Sequence, residues 1–286
     1  MTGTWTCLSL KRGDLELKIL PGIGGRLWDV VFHGKSLLFQ NPDLVGRSVD
    51  LSALDNLPTR SPQFGFPLWG GEKTWIAPDR DWVDGAPFPV LDSAPYEATR
   101  ATDSQIALRS KICPLSRLRV TRLIELEGTS TFSITHTLTN EGDGDRISGI
   151  WSVMMLAHPT TLEIADAAGS ITPVFGDYRA FVRREGARLS VRCDELGEFK
   201  FGTDAPSGKI ELGIGPPKAS IRLECKVPAM RGSESYAHGH NIEVFNSGDY
   251  PYCEAEWHSP SQRLRPGGDM TYTQRFQIST DPPTAD

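Results

Sequence analysis

Apolar positions along this chain recur in twos. In "TFSITHTLTN", Phe132, Ile134, His136 and Leu138 fall on one side, and Ser133, Thr135, Thr137 and Thr139 on the other. A strand turns successive side chains to opposite faces, so this alternation predicts strand. Comparable runs include "LELKIL", "RLWDVVF", "RLRVTRLIEL", "GIWSVMML", "RLSVRC", "IRLECKV", "NIEVFN", "PYCEAEWH" and "MTYTQRFQI". Between the runs stand "GDGD", "PSG", "NSGDYP" and "RPGGD", which carry turn chemistry. No segment holds a 3.6-residue apolar period for more than a few turns, and 21 prolines and 28 glycines oppose long helices. Short helical turns at most are expected, with "LSALDN" (Leu51 to Asn56) a candidate. No fixed-period repeat is visible, which disfavours a propeller or solenoid. The predicted fold class is therefore all-β, with two large antiparallel sheets stacked face to face. The longest irregular region is expected over about Asn41 to Pro95.

Composition narrows this picture. A chain of 286 residues that is 38% hydrophobic and 23% charged carries enough apolar mass for a large core. We read residues 1–286 as a single β-sandwich domain. The net charge of -6 gives no support for a nucleic-acid partner. Arg117, Arg119 and Arg122 read as solvent-facing strand residues. The five cysteines are odd in number, widely spread and without a C-x-x-C pair, so they read as free thiols in a reducing compartment. No apolar run approaches the ~20 residues of a membrane span, and the N-terminus lacks a basic segment followed by an apolar run. A cytoplasmic protein without a membrane partner is expected. The pattern sets no oligomeric state.

Candidate chemistry concentrates in three places. In "YCEAEWHSP", strand parity puts Tyr252, Glu254, Glu256 and His258 on one polar face and Cys253, Ala255 and Trp257 on an apolar one. Two glutamates about 6–7 Å apart along a strand raise each other's proton affinity where water is excluded, which suits a general base near neutrality. In "FGFPLWGGEKTWIAPDRDW", Trp69, Trp75 and Trp82 lie close to Glu72, Lys73 and Asp79. Indole faces beside hydrogen-bonding charges suit a sugar ring, with its apolar face and hydroxyl equator. In "AHGHNIEVF", His238 and His240 have an H-x-H spacing, but Glu243 lies three residues beyond His240, an odd separation that points it away on a strand. The pair therefore reads as loop histidines available to a ligand, and no metal site is assigned. No G-x-S-x-G or Cys–His pairing signals a nucleophile.

The carboxylate strand is followed by "SQRLRPGGDMTYTQRFQI", and the N-terminal region reads "LELKILPGIGGRLWDVVFHGKSLLFQNP". The first resembles the L-x-P-G turn and last strand of the galactose mutarotase-like (aldose 1-epimerase-like) superfamily. The second resembles that family's opening, with its P-x-x-G-G-R turn and "LL…NP". "WGGEKTWIAPDRDW" is similar to a G-G-x-x-x-W-x-A-P stretch of a divergent branch. The resemblance implies a β-supersandwich with a small-molecule carbohydrate as partner, and an isomerase that needs neither metal nor cofactor. It makes Glu256 the expected base, with Glu254 as the fallback, and Arg26 the arginine of the first turn. Substrate-binding residues are expected among Arg26, Trp69, Glu72, Lys73, Trp75, Trp82, Trp151 and His240. One departure matters: Trp151 of "IWSVMMLAHP" stands near the place of the family's acid histidine, and His158 comes several residues late. His258, His240 or Lys73 is then left to supply the proton. Alternatives are a non-catalytic carbohydrate-binding protein and, behind it, a lyase or hydrolase on the same fold.

Overall fold

The computed structural model describes residues 5–47, 65–82, 85–167, 169–216, 219–232 and 234–280. It consists of two large antiparallel sheets. The first runs Leu8–Arg12, Leu15–Leu20, Arg26–Phe32, Glu72–Ala77, Arg146–Ala157, Tyr252–His258, Ile242–Asn246, Phe199–Thr203 and Thr172–Gly176, with Lys35–Ser36 and Gln262–Leu264 attached off this path. The second runs Val182–Glu185, Arg188–Cys193, Thr160–Ile164, Lys209–Ile214, Ile221–Lys226, Asp269–Thr280, Thr131–Asn140, Leu118–Leu126, Gln105–Arg109 and Glu97–Thr102. The all-β expectation holds. Helix among the described residues is limited to short turns such as Pro89–Asp92 and Asp79–Asp81. The "LSALDN" turn lies outside the described residues.

One continuous apolar cluster joins the two sheets. It takes Ile76, Ile150, Met154, Leu156, Val244, Ala255 and Trp257 from the first sheet, and Val120, Ile124, Ile134, Leu223 and Phe276 from the second. The alternate residues of the same first-sheet strands turn the other way. Trp75, Trp151, Val153, Met155, Phe245 and Tyr252 form a separate cluster with Phe39 and Phe66 on the opposite face. These central strands are therefore buried on both sides, with every residue of Glu72–Ala77 and of Tyr252–His258 buried.

Two expectations change here. The region expected to be irregular contains Glu72–Ala77, a strand that pairs with Arg146–Ala157 over six positions. Its "EKTWIA" shows no polar–apolar alternation, because burial on both faces leaves no wet side to produce one. Arg122 is not solvated. It shares the inward face of Leu118–Leu126 with Leu118, Val120 and Ile124 and is fully buried, ion-paired with Glu72 across the sheets. The same network links Ser152 to Glu72 and Gln274, and Gln274 to His136, which accepts from Thr74. His136 stays neutral, because burial holds its pKa down to about 4.

The "PGIGGR" turn closes a hairpin, as its position between two strands predicts. Gly25 has φ 57°, and a Cβ there would lie 2.5 Å from the Tyr96 ring, so only glycine fits. All five cysteines are free thiols; four are buried and Cys7 is exposed. Among the described residues no helix is long and apolar enough to cross a membrane.

Candidate active site

Strand register assembles the site on the face turned away from the second sheet. Trp75, Trp151 and His258 lie side by side on three adjacent strands. The next row holds Lys73, Val153, Glu256, Glu243 and Gly202. The third holds Met155, Glu254, Phe245 and Lys200. Because side chains share a face at every second residue, these rows project together. Above them opens a cavity of about 490 Å³. Its apolar lining includes Trp75, Trp82, Trp151, Phe245 and Tyr252, and its ionisable lining includes Asp79, Lys200, His238, His240, Glu243 and Glu254. Trp82 stacks on Trp151 with centroids 5.5 Å apart, and its indole N–H donates to the Ile76 carbonyl.

Glu243 and Glu256 face each other directly across two strands, an arrangement that repels unless neutralised. Lys200 neutralises it. Its Nζ stands 2.8 Å from Glu243 Oε2 and 2.9 Å from Glu256 Oε2. The Trp151 indole N–H donates to the same Glu256 oxygen at 2.7 Å. Burial opposes the charge on Lys200, but the two glutamates raise its pKa further. The pair splits. Burial lifts the Glu256 carboxyl to about 8 against the pull of Lys200, so it holds a proton near neutrality. Burial would lift Glu243 as well, but Lys200 and the surrounding histidines hold it well below the usual carboxylate range.

Three histidines surround Glu243. His238 Nδ1 and His240 Nε2 donate to its Oε1 at 2.9 and 2.8 Å. The His240 ring lies over Gly202, where a Cβ would come within 2.1 Å of it. His238 Nε2 lies 3.4 Å from Asp79 Oδ1. Burial disfavours charge on His238, but Asp79 and Glu243 outweigh it and push its pKa up to about 9. His258 is fully buried and stacks on Trp151 with centroids 5.1 Å apart. Burial drives its pKa down to about 4 in spite of Glu243. On the other side, Lys73 Nζ donates to Glu254 Oε1 at 3.3 Å and lies 4.0 Å from the Trp75 ring centroid. Burial lowers the Lys73 pKa against the attraction of Glu254.

Of the residues singled out from sequence, Trp75, Trp82, Trp151, His240 and Glu254 meet at the cavity wall. Lys73, Glu256 and His258 lie directly behind it, bonded or stacked to wall residues. Three lie elsewhere. Arg26 is buried against the Gly70 carbonyl and the Asp92 carboxylate. The Trp69 indole N–H donates to Ser93 in a small separate cluster. Glu72 points between the sheets, because its parity is opposite to that of Lys73. Lys200 and Glu243 were missed. A lysine flanked by the core residues Phe199 and Phe201 was the available signal for the first. Strand parity set Glu243 apart from His238 and His240, although the two histidines read as loop residues. They lie in the turn before it, since the strand begins at Ile242, so strand parity does not relate them.

No family model and no curated protein matches this sequence. Solved structures do match over nearly the whole chain. The Slr1438 protein from Synechocystis sp. PCC 6803 is 14% identical, with a TM-score of 0.63, over 98% of this chain and 99% of that one. A galactose mutarotase-like protein from Lactobacillus casei ATCC 334 is 11% identical, with a TM-score of 0.62, over 96% and 100%. A galactose mutarotase-like protein from Clostridium acetobutylicum is 12% identical, with a TM-score of 0.53, over 96% and 95%. At these identities the likeness is one of fold, and the fold is galactose mutarotase-like.

Proposed function

We propose that the protein is a carbohydrate-active enzyme of the aldose epimerase type, with its sugar in the cavity above Glu254. One observation carries this reading: a single cavity joins indole faces (Trp75, Trp82, Trp151) to a buried carboxylate with a lysine partner. Indole stacks on the apolar face of a sugar, and the carboxylates and histidines receive its hydroxyls. Two matching folds carry the description galactose mutarotase-like, which agrees with such a substrate.

Glu254 is the base in this proposal, because it lines the cavity and Glu256 stands behind it. Glu254 takes the proton of the anomeric hydroxyl. The O–H electron pair forms the C1 carbonyl, the bond from C1 to the ring oxygen breaks, and the ring oxygen takes up a proton from the histidine-lined wall. Rotation about the neighbouring carbon–carbon bond and reversal of these steps give the other anomer. Glu256 acts as a positioning residue through Trp151 and Lys200.

Polarimetry or exchange NMR on a panel of freshly dissolved aldoses tests the proposal. The protein is expected to accelerate anomer exchange of at least one sugar, and Glu254→Gln to remove the acceleration while the circular dichroism stays unchanged. Sugar binding by calorimetry without acceleration would replace this reading with the carbohydrate-binding one.

A further inference from the structure

Three histidines around one ionised carboxylate are more than sugar binding needs. We propose that His238, Glu243 and His258 form a binding site for one divalent first-row transition-metal ion, open to the cavity. One ligand atom from each of the three lies within 4.8 Å of the others. Bonds of about 2.0–2.2 Å require ligand atoms roughly 3.4 Å apart in a tetrahedral set, so the side chains close by about an ångström on loading. His238 sits in the turn before Ile242–Asn246, outside the strand ladder.

A second observation points to a ligand. Among the described residues neither ring nitrogen of His258 has a hydrogen-bond partner, although the side chain is fully buried. Its Nε2 lies 3.5 Å from Glu243 Oε2 without the alignment of a hydrogen bond. His238 Nε2 makes no aligned hydrogen bond, with Asp79 Oδ1 3.4 Å away. Buried polar atoms are rarely left so, because an unmade hydrogen bond costs about 1–3 kcal/mol. A cation accepting the one lone pair of a neutral His258 ring satisfies one of its two nitrogens. His240 then serves as the outer group that holds the Glu243 carboxylate in place, seated on Gly202.

The donor set selects the ion class. Two imidazoles and one carboxylate suit zinc, manganese, iron, cobalt or nickel, and leave open positions for a cavity ligand. Calcium and magnesium require mostly oxygen donors. Lys200 is the competitor: its ammonium sits 2.8 Å from Glu243 Oε2 and must withdraw towards Glu256. Ion binding does not depend on the epimerase reading. The use of the ion to polarise a sugar oxygen, on the wall opposite Glu254, does rest on it.

The test uses the full chain, stripped with a chelator and titrated with zinc and cobalt(II) chlorides in the absence of sugar. Calorimetry is expected to give one ion per chain, and cobalt(II) to develop visible absorption bands of a site with nitrogen donors. His238→Ala is expected to keep the fold and to weaken binding at least about tenfold, and His258→Gln to do the same. Lys200→Met removes the competing ammonium and is expected to bind more tightly and gain more thermal stability from the ion than the unaltered chain. Absence of stoichiometric binding, or equal affinity in the unaltered chain, His238→Ala and Lys200→Met, overturns the site. Anomer exchange without ion binding would sink this inference alone, and ion binding without anomer exchange would sink only the epimerase reading.

Discussion

The strand Glu72–Ala77 carries a buried charge on each face, and the two faces differ in kind. Glu72 looks into the sandwich, where it meets Arg122, Ser152, Gln274, His136 and Thr74. In that network Arg122 Nε is the one side-chain polar atom without a partner among the described residues. Lys73 looks the other way, towards Glu254 and the cavity. The cluster on that side leaves Glu256 Oε1, both His258 nitrogens and His238 Nε2 without an aligned hydrogen bond. Closed networks hold two sheets in one arrangement, whereas open ones retain bonding capacity for something that arrives from solvent. On the proposed function, the contrast separates residues that hold the fold from residues that meet a ligand, although both sets are buried.

Four substitutions and conditions put this contrast under stress. The largest effect is expected for Glu254→Gln, with anomer exchange falling roughly a hundred- to ten-thousand-fold while the urea midpoint barely moves. A collapse of stability instead would place Glu254 with the structural set. Arg122→Leu is expected to cost about 3–5 kcal/mol in urea unfolding, because Glu72 is left buried and unpaired. Loss of sugar binding without loss of stability would reverse the assignment.

His136 tests the same face by pH. Its folded pKa of about 4 lies below its unfolded 6.5, so the unfolded chain binds the extra proton between these values. The stability it contributes, about 3 kcal/mol, is complete above pH 6.5 and is lost as pH falls towards 4. His136→Gln should flatten that slope in urea titrations at successive pH values, and an unchanged slope would refute the role. The smallest effect is expected for Trp82→Ala, with sugar affinity about three- to tenfold weaker by calorimetry and the fold retained, since Trp82 is a partly exposed wall residue.

Much of the site was legible from alternation alone. "YCEAEWH" placed Glu254, Glu256 and His258 on one face and Cys253, Ala255 and Trp257 in the core, and the structure has both sets where parity puts them. Trp75, Trp82 and Trp151 likewise meet at one cavity. Besides Arg26, Trp69 and Glu72, three features escape the sequence because parity fixes a face only relative to other residues of the same strand. Arg122 alternates with neighbours whose burial a local pattern does not reveal, and "EKTWIA" has no wet side to mark it as a strand. His238 and His240 lie in the loop, as read from sequence, so parity along the strand says nothing of where Glu243 stands relative to them.

The amino-acid order by itself determined the period, and with it the all-β class and the grouping of side chains by face, because both follow from the geometry of a single extended backbone. Tertiary structure decided everything that depends on which strands are neighbours. It set Glu243 opposite Glu256 with Lys200 between them, and it swung the "AHGH" turn over Gly202 so that three histidines close on one carboxylate. Those contacts join residues from strands separated along the chain, and register between such strands is set by packing of the whole sandwich rather than by any local pattern.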